Sequence, residues 1–499
     1  MQAIWKIGDT EIEHYPALAG KREADVVVIG AGITGLTTAL QLAEDGSRVI
    51  VLEALSVGEG CTGGSTGNLY SPLAKGLSAI RKKWGDDVSR DIVTSRIETI
   101  DFIEATIERF AIDCQFHRRP LYRLFTTADE VQAYELDEER KALLEAGLEV
   151  EDIEQHVLPF SPLQGLKIND QAQFNPLLYV QGLAKAVSAM GVTILEHSPV
   201  RDVDYKQGVV KTDTAAVTAR HIVHATHTPK GVDLLQTGML PSREYGVSAK
   251  LNGEAYPEGI FWMLDPFHSL RSYRYAGESY LMVIGEKHKT GEGKYDYYQR
   301  LREYLSQHFD VQEFCHQWSA QQYSSADGLP YIGRMHARDN VYVATGFAAD
   351  GLTWGTLAGR IIADLIHGRD NTWHAHFDAR RITPAKSAGG WVKENASVTK
   401  HLVQDYLATG KLKEFAELAP GEAKVATLDG EKLAIYRNES GELSVLSAVC
   451  PHMKCLVHWN ANDTTWDCPC HGSRFDTRGD VIEGPAYHAL ERRDPPVDS

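Results

Sequence analysis

The chain is poor in cysteine and methionine, with seven of each in 499 residues. A disulfide-stapled scaffold of the small secreted kind is therefore excluded. No run of about eighteen apolar residues occurs, so nothing in the sequence reads as a membrane-spanning helix. Basic residues are outnumbered, 51 Lys and Arg against 68 Asp and Glu, for a net charge of −17. That balance argues against nucleic acids and anionic membrane surfaces as partners. The opening segment MQAIWKIGDTEIEHYP lacks the apolar core of a signal peptide, so the expected address is cytoplasmic. Repeats and low-complexity tracts are absent too. The remaining composition, 43% hydrophobic and 24% charged, is that of an ordinary globular protein with length for two or three domains.

The few cysteines are unevenly placed. Cys450-Pro-His452 is followed, after fifteen residues, by Cys468-Pro-Cys470-His471. Two Cys-plus-His pairs on tight loops can clamp a [2Fe-2S] cluster, with Cys450 and Cys468 on one iron and His452 and His471 on the other. A structural zinc site is the alternative, but a zinc finger places a Cys pair ahead of a His pair. This segment resembles a Rieske domain. His471-Gly472-Ser473 and Gly484-Pro485-Ala486 match the respiratory-chain subtype. The resemblance implies a disulfide between Cys455 and Cys470, and a Ser473 hydroxyl bonded to a bridging sulfide. Phe475 stands where that subtype has a tyrosine bonded to a cysteine sulfur, which lowers the expected potential. Cys61, Cys114 and Cys315 remain.

Near the N-terminus, Ala24-Asp-Val-Val-Val-Ile-Gly30-Ala-Gly32-Ile-Thr-Gly35 reads as a strand, a Gly turn and a helix, and the next strand ends at Glu53. Gly30 makes the turn, Gly32 lets backbone approach a pyrophosphate, and Gly35 packs helix on strand. Glu53 accepts from a ribose hydroxyl. A second strand, turn and helix follow Asp327-Gly328-Leu-Pro330, with Gly346 and Gly351 in the turn. Together these features resemble the D-amino-acid-oxidase-like FAD enzymes, the glycine, sarcosine and glutamylputrescine oxidase group, over roughly residues 1–385. The resemblance adds Ile33, Thr34, Ala54, Thr66, Gly67, Asn68, Val200, Leu352 and Thr353 to the FAD contacts. It also implies backbone N–H groups that stabilise reduced flavin. One dinucleotide fingerprint is present where a nicotinamide-fed reductase usually shows two.

The expected fold class is an α/β Rossmann-type FAD-binding domain with an α+β substrate domain, plus a C-terminal all-β Rieske domain. The FAD domain is expected at 1–110, 175–240 and 325–385, the substrate domain at 111–174 and 241–324. A linker is expected at 386–412, with a charged helix over Val392–Leu407, and the Rieske domain at 413–499. One amphipathic helix is expected near Leu77–Phe110.

On the strand HSLRSYRY, Arg271 and Tyr273 share a face and are the candidates for positioning substrate, with Thr353 where relatives hold a substrate carboxylate by lysine. Tyr245, His268 and Trp354 are weaker candidates. Asp350 reads as a helix cap or as an attractor of a cationic amine. Cys61, in the flavin loop, is a remote candidate for a flavin tether. Val283 replaces a lysine that helps oxygen react with flavin in sarcosine-oxidase-like members.

The expected function is oxidation of a C–N bond in an amine or amino acid. Hydride passes to flavin, and electrons leave singly through the cluster to an acceptor protein or quinone. The alternatives are a flavin/iron-sulfur redox sensor and an oxygen-using amine oxidase with an accessory Rieske domain. A Rieske oxygenase needs a mononuclear iron on two His and a carboxylate, and the sequence offers no convincing His pair for it.

Overall fold

The structure, a computed structural model, describes residues 3–6, 13–127, 129–154, 156–160, 164–253, 255–401, 405 and 418–494. The strand Lys21–Ile29, whose VVVI core is buried on both faces, is the axis of an eight-stranded sheet. It pairs in parallel with Val49–Leu52 on one side and Ala216–His224 on the other, and the latter pairs in parallel with Arg338–Thr345. Strands buried on both faces read as continuous apolar runs, as these do. The helices Ile33–Glu44 and Gly351–His367 pack closely together. A Cβ added at Gly359 would lie 2.8 Å from Thr37 Cβ, so small residues set this approach. An alanine there would force the helices apart, at about 1–3 kcal/mol.

A nine-stranded sheet forms the second layer, running from Val311–Ser325 through Met239–Leu251, Glu278–Lys289, Phe267–Tyr275 and Ile260–Leu264 to His117–Phe125 and Gln164–Gln173. Met239–Leu251, thirteen residues long, is laddered on both edges, against Glu278–Lys289 and Val311–Ser325. The predicted helix over Leu77–Phe110 is two helices, Leu77–Trp84 and Asp86–Phe110, broken at Gly85, whose φ is +92°.

A helix Pro384–Lys400 leads out of this body, starting earlier than predicted. Residues 402–404, 406 and 407 of the predicted Val392–Leu407 helix lie outside the described residues. The C-terminal part is all β: a three-stranded sheet, Ala423–Leu428, Glu431–Arg437 and Leu443–Ser447, and a four-stranded one built from short strands between His458 and Glu483. Its core gathers Trp466 and Phe475 around Cys450, Cys455, Cys468 and Cys470. Among the described residues no helix is long and apolar enough to cross a membrane.

Candidate flavin cavity and cluster site

A cavity of about 530 Å³ is lined by both large sheets and by the C-terminal domain. At one end stand Gly30, Gly32, Ile33 and Thr34, with Glu53, Ala54 and Val200 beside them. Gly30 has φ +109°, and an added Cβ would lie 2.5 Å from the Ala225 carbonyl oxygen. Gly32 caps the helix without a side chain, which leaves a helix N-terminus suited to phosphate. Gly35 is off the cavity: its added Cβ would lie 1.9 Å from the Gly30 carbonyl, so its role is packing. The Glu53 carboxylate accepts from the Ala31 and Leu55 amides at 2.8 and 2.9 Å, and burial pushes its pKa up.

At the other end Tyr70 and Trp262 meet edge to face, 4.7 Å between centroids. Phe267, Ile284, Phe347 and Leu352 complete an apolar wall. Ser269 lines it with a buried hydroxyl that has no partner among the described residues, as expected where a ligand belongs. Glu244 is the buried carboxylate of this end. It accepts from Gln322, stands 3.9 Å from Lys287, and burial pushes its pKa up. Sequence reasoning missed Glu244, although its neighbour Tyr245 was a candidate and does line the cavity.

Thr66, Asn68 and Gly351 also line the cavity, whereas Gly67, Gly346 and Thr353 stand behind its wall. Thr353 is buried in the helix Gly351–His367. Arg271 and Tyr273 share an inward face, as predicted, but that face meets the back of the flavin loop. Arg271 Nη1 donates to the carbonyls of Thr66 and Gly67 at 3.0 and 2.8 Å, and its guanidinium stacks on Trp5. Tyr273 packs edge-on against Trp5, and its hydroxyl accepts from Asn175. They anchor the loop; the cavity end of that strand is Phe267 and Ser269.

His268 stacks on Tyr304, and Trp354 packs on Phe377 and Arg96, so both are packing residues. Asp350 has no side-chain capping bond; it pairs with buried Arg96 and accepts from the Ala74 amide. Val283 faces an apolar cluster with Val247 and Leu270, and Ile284 faces the cavity instead. Cys61 lies 3.0 Å from Glu483 and 3.1 Å from His227; burial and then Glu483 push its thiol pKa well up, which disfavours a nucleophilic thiolate.

In the C-terminal domain the four predicted ligands converge. The Cys450 and Cys468 thiols are hydrogen-bonding neighbours, and the His452 and His471 rings lie 5.0 Å apart. Cys455 and Cys470 form a disulfide. His471 Nδ1 is buried without a partner among the described residues, and His452 Nε2 bonds outward, which leaves its Nδ1 toward the site. Burial pushes His452 down to about 4 and His471 to about 3, so both imidazoles are neutral, as iron ligands must be. Ser473 Oγ accepts from the Ala486 amide and neighbours the Cys450 sulfur. These residues fit a two-iron, two-sulfur cluster.

The cluster loops face the flavin body. His452 Nε2 lies 3.1 Å from the Gly231 carbonyl and 3.0 Å from Gln236 Oε1. The Gly472 carbonyl accepts from Gln321 at 2.7 Å, and Lys230 donates to the Gly484 carbonyl at 2.7 Å. Arg474, Glu483, Gly484 and Tyr487 form part of the flavin cavity wall itself. No local sequence pattern announced this contact.

Comparison with known proteins agrees with both halves. Residues 25–365 match the FAD dependent oxidoreductase family, and residues 409–493 match the Rieske [2Fe-2S] domain. A protein of Bacillus subtilis (strain 168), YhfW, whose name contains the words Rieske 2Fe-2S iron-sulfur protein, is 32% identical over 503 residues, 99% of this chain and 97% of its own. The gamma-glutamylputrescine oxidoreductase of Escherichia coli (strain K12) is 26% identical over 361 residues, 69% of this chain and 84% of its own. The crystal structure of glycine oxidase from Geobacillus kaustophilus shares the fold, with a TM-score of 0.61 at 19% identity over 72% of this chain and 100% of that one. The chain belongs to the FAD dependent oxidoreductase family, carries a Rieske domain behind it, and uses FAD and a [2Fe-2S] cluster as its cofactors.

Proposed function

We propose that this chain oxidises the C–N bond of an amine or amino acid and delivers the electrons through its cluster to an external one-electron acceptor, a protein or a quinone. The observation that carries the reading is the shared wall: Arg474, Glu483 and Tyr487 of the cluster domain line the cavity that fits FAD. FAD supplies a two-electron acceptor and the cluster a one-electron relay. Gly30, Gly32 and the first turn of Ile33–Glu44 hold the pyrophosphate, and Glu53 holds the ribose. Tyr70, Trp262, Phe267 and Ile284 exclude water at the other end.

Glu244 receives the substrate ammonium and, with its proton affinity raised by burial, takes a proton from it. A neutral amine is the form that yields hydride. The names of the relatives favour an amine or amino-acid substrate; γ-glutamyl amines and glycine are the first to try. In this reading residues 1–110, 175–240 and 325–385 bind FAD, 111–174 and 241–324 shape the substrate end, and the protein is cytoplasmic. An anaerobic screen of amines and amino acids, followed by flavin absorbance, tests it: one of them bleaches the flavin. A flavin that none of them reduces, while dithionite does, contradicts it.

A further inference from the structure

Outside the flavin cavity and the four cluster ligands, three segments meet at a group of histidines and acids. His401 follows the helix Pro384–Lys400, His458 opens a strand of the cluster domain, and Gly291 and Glu292 form a turn beside the nine-stranded sheet. His401 Nε2 lies 2.9 Å from Glu292 Oε1, and His458 Nδ1 lies 2.7 Å from the Gly291 carbonyl oxygen. Both partners only accept, so each outer ring nitrogen carries a proton. In a neutral imidazole the lone pair then falls on the inner nitrogen. The two inner nitrogens, His401 Nδ1 and His458 Nε2, each lie 2.9 Å from one atom, Asp405 Oδ2. Two lone pairs facing one carboxylate oxygen repel unless a proton or a metal cation sits between them.

We propose that His401, Asp405 and His458 bind a divalent transition metal of the zinc class. Two imidazoles and one carboxylate are a donor set for zinc, cobalt, nickel or ferrous iron, not for calcium or magnesium. Glu292 and the Gly291 carbonyl fill the outer-shell role that fixes ligating histidines. The three ligand atoms lie within 4.8 Å of one another. The site also has a mechanical consequence. A Cβ added at Gly291 would lie 3.0 Å from Pro469, between Cys468 and Cys470, so the ion pins the linker and the cluster loop to the flavin body.

The test uses full-length protein with flavin and cluster in place, equilibrated with zinc chloride, desalted and assayed for metals. The expected result is one zinc per chain beyond the cluster iron, with the cluster's EPR signal unchanged. His401→Gln and Asp405→Asn lose that zinc. Glu292→Gln, which leaves all three ligands, weakens it by on the order of 10–100-fold and serves if the ligand variants do not fold. Wild-type protein that retains no zinc overturns the proposal, as does zinc retained undiminished by the variants. The group would then be a hydrogen-bonded cluster of two histidines and an aspartate.

Discussion

Arg243, on the nine-stranded sheet, holds Asp463 of the cluster domain at 2.8 Å, with both side chains buried. Ser319 donates to the same carboxylate oxygen at 2.6 Å, and Arg474 lies 3.0 Å from it. Breaking a buried pair leaves an uncompensated charge, at about 3–5 kcal/mol. Asp463→Ala is expected to lower the melting temperature of the holoprotein and to slow reduction of the cluster by substrate. Unchanged melting, read from the visible circular dichroism of the cluster, would show that this ion pair does not hold the domains together.

His452 Nε2 donates to Gly231 and Gln236 of the flavin body. Acceptors on that N–H make the imidazole a stronger donor to iron and favour the oxidised cluster. Gln236→Leu should therefore raise the reduction potential by roughly tens of millivolts, within the Rieske range. Ser473→Ala, which removes a donor near the Cys450 sulfur, should shift it the other way. Redox titration by EPR reads both signs.

Glu483 lies 3.2 Å from His227 and 3.6 Å from Arg474, which hold its carboxyl well below the usual range against the opposing effect of burial. A depressed carboxylate stabilises the fold above its unfolded pKa and loses that contribution as pH falls through its folded one. Thermal stability should be insensitive to Glu483 ionisation at neutral pH and decline below about pH 4. Glu483→Gln should lower the melting temperature at pH 7 and flatten the acid limb; a superimposable pH profile would show that Glu483 is not part of that limb.

Glu244 carries the substrate prediction. A hydrogen bond to a charged group is worth about 1.5–3 kcal/mol, so Glu244→Gln should cost about ten- to a hundred-fold in kcat/KM for a cationic amine while FAD stays bound. Stopped-flow flavin reduction measures it, and equal rates would remove Glu244 from the site.

Much of this molecule was legible because its chemistry is local. Gly30, Gly32, Glu53 and the four cluster ligands belong to short segments whose spacing is itself the signal. Strand parity correctly put Arg271 and Tyr273 on one face, yet parity does not say what covers that face, and the flavin loop does. Val283 was expected beside the flavin, but it packs with Val247 and Leu270 while its neighbour Ile284 lines the cavity, because successive strand residues face opposite sides. Glu244, the docking of Glu483 beside Cys61, and the meeting of His401 with His458 join residues from distant segments, and no periodicity in either partner predicts such contacts.

The central claim is that electrons leave through the cluster. Its most direct test compares wild-type protein with Cys468→Ser, using a substrate that bleaches the flavin. In the wild type, turnover with an artificial one-electron acceptor should far exceed peroxide formation in air. In the variant, flavin reduction by substrate should persist at its wild-type rate while acceptor turnover collapses. Rapid peroxide formation that survives loss of the cluster would contradict the account and make this an oxygen-using oxidase with an accessory domain.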